Sequence, residues 1–178
     1  SKNAISYNGE IYNFKELKKD IGESGFRTTS DTEVILKAYE RWGVDCISKF
    51  RGMFAFALWD ESKSTLFCAR DRFGIKPFYY AIVDDTFYCA SEIKALLPFV
   101  KEIDTDKDSL NDYLTFQFTL GEKTLFKGIK QLEPGHLLTI ENSQISVKKY
   151  WEVYYNLDFK RTEQYFIEEI RELMGESI

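Results

Sequence analysis

A chain of 178 residues has room for one domain, or for one domain and a piece of another. Its net charge of −5, with 24 Lys and Arg scattered against 29 Asp and Glu, offers no basic field for a nucleic-acid backbone. The absence of an apolar run of roughly 18 residues or of a charged-then-apolar leader makes the cytoplasm the expected compartment, with neither nucleic acid nor membrane as partner.

The first element to read is "ISYNGEIYN", residues 5–13, where Asn8-Gly9-Glu10 interrupts a run of β-formers. Asn-Gly between such residues signals a two-residue hairpin turn. The same residues suit a ligand site, because Gly9 lets a backbone N–H come close while the Asn8 amide and Glu10 carboxylate stand beside it. Both readings stay open on these residues. Phe14, Leu17 and Ile21 then fall at helical spacing before a glycine. In residues 30–43, Ser30 and Glu33 form a capping-box pattern, Val34, Ile35, Ala38, Tyr39 and Trp42 line one face, and Gly43 supplies the stop. Asp31 in the first turn reads locally as a favourable charge at the helix amino end.

Residues 52–60, "GMFAFALWD", are apolar almost throughout and too short for a typical helix, which predicts a strand buried on both faces. "LFCAR", "PFYYAIV" and "TFYCAS" follow, with a turn at Asp84-Asp85, and read as an antiparallel meander. A brief helix is expected at "SEIKALL" and a second at "DSLNDYLTFQF". A final hairpin is expected across Asn142-Ser143. Beyond Trp151 the polar "YYNLDFKR" reads as a linker, and "TEQYFIEEIRELMG" as an amphipathic helix with Phe166, Ile167, Ile170, Leu173 and Met174 on one face and a stop at Gly175. Helices and strands are segregated in the chain, which makes the class α+β.

Cys46, Cys68 and Cys89 show no CxxC spacing and no neighbouring histidine, so they are expected to be buried thiols without a metal or a disulfide. His136 follows a Pro-Gly turn and reads as structural. In "ARDRFGIKPFYY", Arg70, Asp71, Arg72 and Lys76 surround a Phe-Gly corner, where a structural ion-pair network is expected ahead of substrate contact. No phosphate-binding loop is present.

Taken together, "YNGEIYN", "SDTEVI", "RGMFAFALWD", "ARDRFGIKPFYY", "ASEIKALL" and "TLFKGIKQLEPGHLLTI" resemble the glutamine-hydrolysing asparagine synthetases, in that family's order along nearly the whole chain. The related glucosamine-phosphate synthase and phosphoribosyl-amidotransferase branches usually carry His where this chain has Tyr7. The resemblance implies an amino-terminal nucleophile amidohydrolase fold, an αββα sandwich of two antiparallel sheets, here incomplete at its amino end. It implies that the Asn8 side chain and the Gly9 N–H form an oxyanion hole, and that Glu10 and Asp31 hold the α-ammonium of glutamine. In such enzymes an amino-terminal cysteine attacks the glutamine amide, and the ammonia released passes to a second domain where ATP and magnesium activate a carboxylate.

This sequence departs from that pattern in three places. Ser1 is not cysteine, and the family's "CGI" start with its nucleophilic cysteine and the arginine for the glutamine carboxylate are expected upstream of "YNGEIYN". A downstream pyrophosphate loop is not found either. Residues 1–155 are therefore expected to be a glutaminase domain lacking its amino-terminal part, and 156–178 a linker and first helix of a truncated synthetase domain. The chain alone is expected to be inactive, with no cofactor of its own. The expected parent transfers ammonia from glutamine to aspartate. The alternatives are another carboxylate acceptor such as a sugar acid, or a non-catalytic degenerate binding module. Oligomeric state is open, a homodimer being one option.

Overall fold

In the computed structural model, which describes residues 3–22 and 24–177, the Asn-Gly pair does not turn the chain. Strand β1, Ala4–Ile11, runs straight through it and pairs antiparallel with β2, Gly52–Asp60, in an unbroken register from Ala4 opposite Trp59 to Ile11 opposite Gly52. Gly9 is required for a different reason than turning. It has φ +149°, and a Cβ there would lie 2.6 Å from Phe54 Cα and closer still to the Met53 carbonyl, so β2 fills the space a side chain would need. The expectation of a nucleophile absent at Ser1 falls outside the described residues.

Helix α1, Phe14–Ile21, and helix α2, Asp31–Trp42, follow. Ser30 caps α2 by accepting from the Thr32 N–H, while Glu33 reaches back to the N–H groups of Arg27 and Thr28 rather than to Ser30, an opened form of the expected box. Gly43 ends α2 with positive φ, and the chain continues as a 3-10 helix through Lys49, which periodicity did not predict.

The first sheet has the order β1, β2, β3 (Thr65–Arg70), β7 (His136–Glu141), β8 (Gln144–Lys149), all antiparallel. The second has β5 (Thr86–Ala90), β4 (Tyr79–Val83), β6 (Ile129–Gln131). The expected meander is thus split: β3 pairs with β7, and β4 belongs to the other sheet. The apolar run in β2 is explained by its position. Phe54, Phe56 and Leu58 pack under α1 and α2, with Ile35, Tyr39 and Phe67, while Ala55 and Ala57 face the second sheet beside Cys68, Phe78 and Leu138. The outer face of the second sheet is closed by Leu96, Leu97 and Val100 from two short 3-10 turns, where one helix was expected.

Helix α3, Lys107–Phe116, is capped by Asp106, and helix α4, Glu163–Glu176, by Thr162. Gly175 lies inside α4 and does not stop it. The apolar residues of α4, from Phe166 to Met174, are 41–61% exposed, and Tyr154, Tyr155, Leu157 and Phe159 before it are more so. Among the described residues no helix is long and apolar enough to cross a membrane.

Candidate functional site

Among the described residues β1 lies at the edge of its sheet, so one row of its backbone groups faces away from β2. The alternation can be fixed at its end: the Tyr12 N–H bonds to Arg51 on the β2 side, whereas the Ile11 N–H bonds outward to Asp31 Oδ2 at 3.0 Å. With no bulge in the register, the Gly9 N–H points outward with that of Ile11. The two donors are two residues apart, about 6.8 Å along the edge.

Side chains alternate in the same way. Tyr7 and Ile11 turn toward the helices. Asn8 turns to the gap between the sheets, where its Nδ2 donates to Ser91 Oγ at 3.3 Å. It borders a narrow cleft of about 80 Å³ with Ser6, Ala55, Phe78, Cys89 and Ser91. Small Ala55 and Ala57 on this face of β2 leave that space open. Glu10, on the same face as Asn8, is exposed.

Asp31 arrives from the first position of α2 and crosses to the strand instead of capping its own helix. Its Oδ2 accepts from Tyr7 OH at 2.7 Å as well as from Ile11 N–H. Burial pushes the Tyr7 phenol far up, and the bond to Asp31 and the charges of Asp31 and Glu10 add to the shift. The phenol therefore stays a donor, and both carboxylates act electrostatically on one spot. The Gly9 N–H and Asp31 thus lie along the outer edge of β1, while the Asn8 amide faces the gap between the sheets and Glu10 is exposed on the Asn8 face of the strand.

The "ARDRFGIKP" segment behaves differently from expectation. Arg70 and Asp71 are buried but do not form an ion-pair network. Arg70 donates through Nε, Nη1 and Nη2 to the carbonyls of Lys76, Leu132 and Gly74 at 2.7–2.9 Å. Asp71 accepts from the backbone N–H groups of Phe54, Phe73, Ile75 and Lys76. Arg72 donates to the carbonyls of Phe50 and Ser48. These charges satisfy a loop's backbone, which is why the chain leaves the first sheet here. The same loop supports the site, since Asp71 holds Phe54, the register partner of Gly9.

Two cysteines match expectation: Cys46 and Cys68 are buried, and burial pushes both thiols up. Cys89 does not match; it is exposed at the end of β5 and lines the Asn8 cleft. Its alternate position on an edge strand, rather than its neighbours in sequence, decides this. Desolvation raises its thiol too, the reverse of an activated nucleophile. His136 sets Nδ1 2.8 Å from the Pro134 carbonyl, away from the cleft lining. Among the described residues no group of three or more His, Cys, Asp or Glu side chains could hold a metal ion.

Two stacked antiparallel sheets, the first covered by α1 and α2 and the second by short 3-10 turns, are the architecture of a class II glutamine amidotransferase domain. The sequence profile of the glutamine amidotransferase domain family matches residues 1–151, and the chain belongs to that family. It is 39% identical over 98% of its length to asparagine synthetase [glutamine-hydrolyzing] 1 of Bacillus subtilis, and 40% identical over 84% to the putative asparagine synthetase [glutamine-hydrolyzing] 2 of Methanocaldococcus jannaschii. It spans only 28% and 30% of those two proteins. Among solved structures, glutamine phosphoribosylpyrophosphate amidotransferase of B. subtilis superposes with a TM-score of 0.57 at 23% identity, over 84% of this chain and 29% of that one, a likeness of fold.

Proposed function

We propose that this domain binds glutamine along the outer edge of β1 and serves the ammonia-releasing half of an amidotransferase. The observation that carries the reading is the spacing on that edge. The Gly9 N–H and the Ile11 N–H held by Asp31 are separated by about 6.8 Å, comparable with the reach from the side-chain carbonyl to the α-ammonium of extended glutamine. In this reading the Asn8 amide and Gly9 N–H donate to the oxygen that becomes anionic when a thiolate adds to the side-chain amide. Such donors act best at 2.7–3.1 Å from the oxyanion, an approach a glycine backbone permits. Glu10 and Asp31 take the α-ammonium. The proton the thiol gave up goes to the amide nitrogen, so that collapse of the tetrahedral adduct expels ammonia and leaves a thioester, which water hydrolyses to glutamate with return of the thiol.

The nucleophile in this reading is an amino-terminal cysteine, as the resemblance to the asparagine synthetases implies. Cys89 does not replace it, because desolvation pushes its thiol pKa up, away from the thiolate a nucleophile needs. The chain alone is accordingly proposed to bind glutamine without turning it over. Residues 1–155 form the glutaminase unit of the proposal, and 156–178 lead into a synthetase domain, consistent with the exposed apolar face of α4. The proposed acceptor is aspartate, as the name asparagine synthetase of the relatives suggests, and the resemblance implies its activation by ATP with magnesium; no step in the residues described here runs through either group.

The test is calorimetric titration of the chain with L-glutamine, paired with an ammonia assay. Saturable binding without ammonia is expected. A longer version bearing an amino-terminal cysteine should release ammonia, and Asn8→Ala should slow it by about 10²–10³-fold. No binding by the chain, or release that Asn8→Ala leaves untouched, refutes the proposal.

A further inference from the structure

The site residues discussed so far all touch the proposed ligand, but one of them is held by a side chain that does not. Asp31 Oδ2 receives two donors, Tyr7 OH at 2.7 Å and Ile11 N–H at 3.0 Å. Among the described residues Oδ1 meets only the Ser30 hydroxyl, at 3.5 Å, beyond a good hydrogen bond. One oxygen is therefore spent on fixing the carboxylate, and the other remains to accept a cation. We propose that Tyr7 is a positioning residue that locks Asp31 with Oδ1 facing the α-ammonium of the ligand, an inference that rests on the reading of Asp31 given above.

The physical need for Tyr7 follows from where Asp31 starts. An Asp in the first turn of a helix is drawn to that helix's own unsatisfied N–H groups. Here it is pulled off them to the strand, and a single backbone donor from Ile11 leaves rotation about the carboxylate's own bond free. The phenol supplies the second donor from the helix-facing side of β1, while Ile11 supplies the first from its edge. Two donors from different directions define the plane of the carboxylate. The bond is charge-assisted and half-buried, where such bonds are strongest. Tyr7 and Ile11 also bracket Gly9, so the lock that orients the ammonium site is built on the same stretch of β1 as the proposed oxyanion donor.

The test compares two ligands on the full chain: L-glutamine, and glutaramate, which keeps the amide and carboxylate but lacks the α-ammonium. The wild-type chain is expected to prefer glutamine. Tyr7→Phe should weaken glutamine roughly tenfold, the scale of one hydrogen bond to a charged group, and leave glutaramate unchanged. A purely structural role for Tyr7 would weaken both ligands alike. Tyr7→Phe combined with Asp31→Asn should be no worse for glutamine than Asp31→Asn alone. Tyr7→His, which keeps a ring N–H donor, should retain part of the preference, and it serves as the deciding variant if the Phe variant does not fold. A preference intact in Tyr7→Phe but lost in Asp31→Asn overturns this inference alone, as does a folded Tyr7→His variant with no preference left. A wild-type chain without any preference overturns the reading of Asp31 and this inference with it.

Discussion

Replacing Gly9 with alanine tests how the edge of β1 is built. The added Cβ would stand 2.6 Å from Phe54 Cα, and β1 would have to retreat from β2 by roughly 1 Å before carbon contacts returned to about 3.5–4.0 Å. That retreat stretches the ladder on either side, at the pairs Asn8 with Ala55 and Glu10 with Met53. Each such pair exchanges two backbone bonds worth about 1 kcal/mol apiece, so weakening them by half costs about 2 kcal/mol. Forcing alanine to φ +149° adds about 1–3 kcal/mol. The total of about 3–5 kcal/mol is a large share of the ~5–15 kcal/mol that stabilises a domain. Gly128→Ala is the control: φ is +80° there, but nothing lies within 4 Å of the new Cβ. It should cost only about 1–2 kcal/mol. In urea unfolding the two midpoints should differ by about 1 M if the slope is about 2 kcal/mol/M. Gly52→Ala, which drives its Cβ into the Glu10 carbonyl from the other strand, should behave like Gly9→Ala. Coincident midpoints for Gly9→Ala and Gly128→Ala would refute the steric argument.

Arg70→Lys keeps the charge but loses the fork that reaches three carbonyls, so it should cost about 2–4 kcal/mol and open the loop around Phe73 to limited proteolysis; unchanged stability and protection would count against the cage. Tyr39→Phe removes a buried donor to Asp60 Oδ2, and urea unfolding should show a loss of about 1–2 kcal/mol. Glu33 is held below its ordinary value of 4.5, first by the Arg27 N–H and then by the Thr28 hydroxyl. Its folded pKa being the lower one, its contribution is present above 4.5 and is lost as pH falls through the depressed value. Glu33→Gln should therefore flatten the acid side of the stability curve, and thermal melts between neutral pH and pH 3 would reveal an unaltered slope if the linkage were wrong.

Much of the architecture was legible because it depends on local patterns. The bounds of β2 and the cap and apolar face of α2 follow from period and turn chemistry, and so do the two left-handed pairs, Asp84-Asp85 and Asn142-Ser143. The misreadings are long-range. Asn-Gly carries a hairpin signal, and only the closeness of Met53 and Phe54 reveals why glycine stands inside a straight strand. No spacing rule shows that Arg70 and Asp71 each prefer backbone partners to one another, and so the division of the meander into two sheets was hidden. Strand β6, three residues long, has too little sequence to show a period. Of the candidate site, residue types and order could be read; that Asp31 crosses 20 residues to the Ile11 N–H could not.

The sandwich has two unlike ends. Around Asn8 are gathered the end of β5 at Ser91 and the buried Arg70-Asp71 corner, whose carbonyl also receives the Gly135 N–H ahead of β7. At the other end Ser64, Asp85, Asn142 and Ser143, the tips of three hairpins, surround an open cleft of about 680 Å³ walled by Trp59, Ile82 and Ile145. Side chains at those tips are exposed on turns with positive φ, whereas at the first end Asn8 reaches Ser91 and the Gly135 N–H reaches the Asp71 carbonyl. The molecule therefore has a natural address for inserted sequence: a reporter or an affinity handle spliced between Asn142 and Ser143 lengthens a hairpin and leaves the register of β1 on β2 where it was.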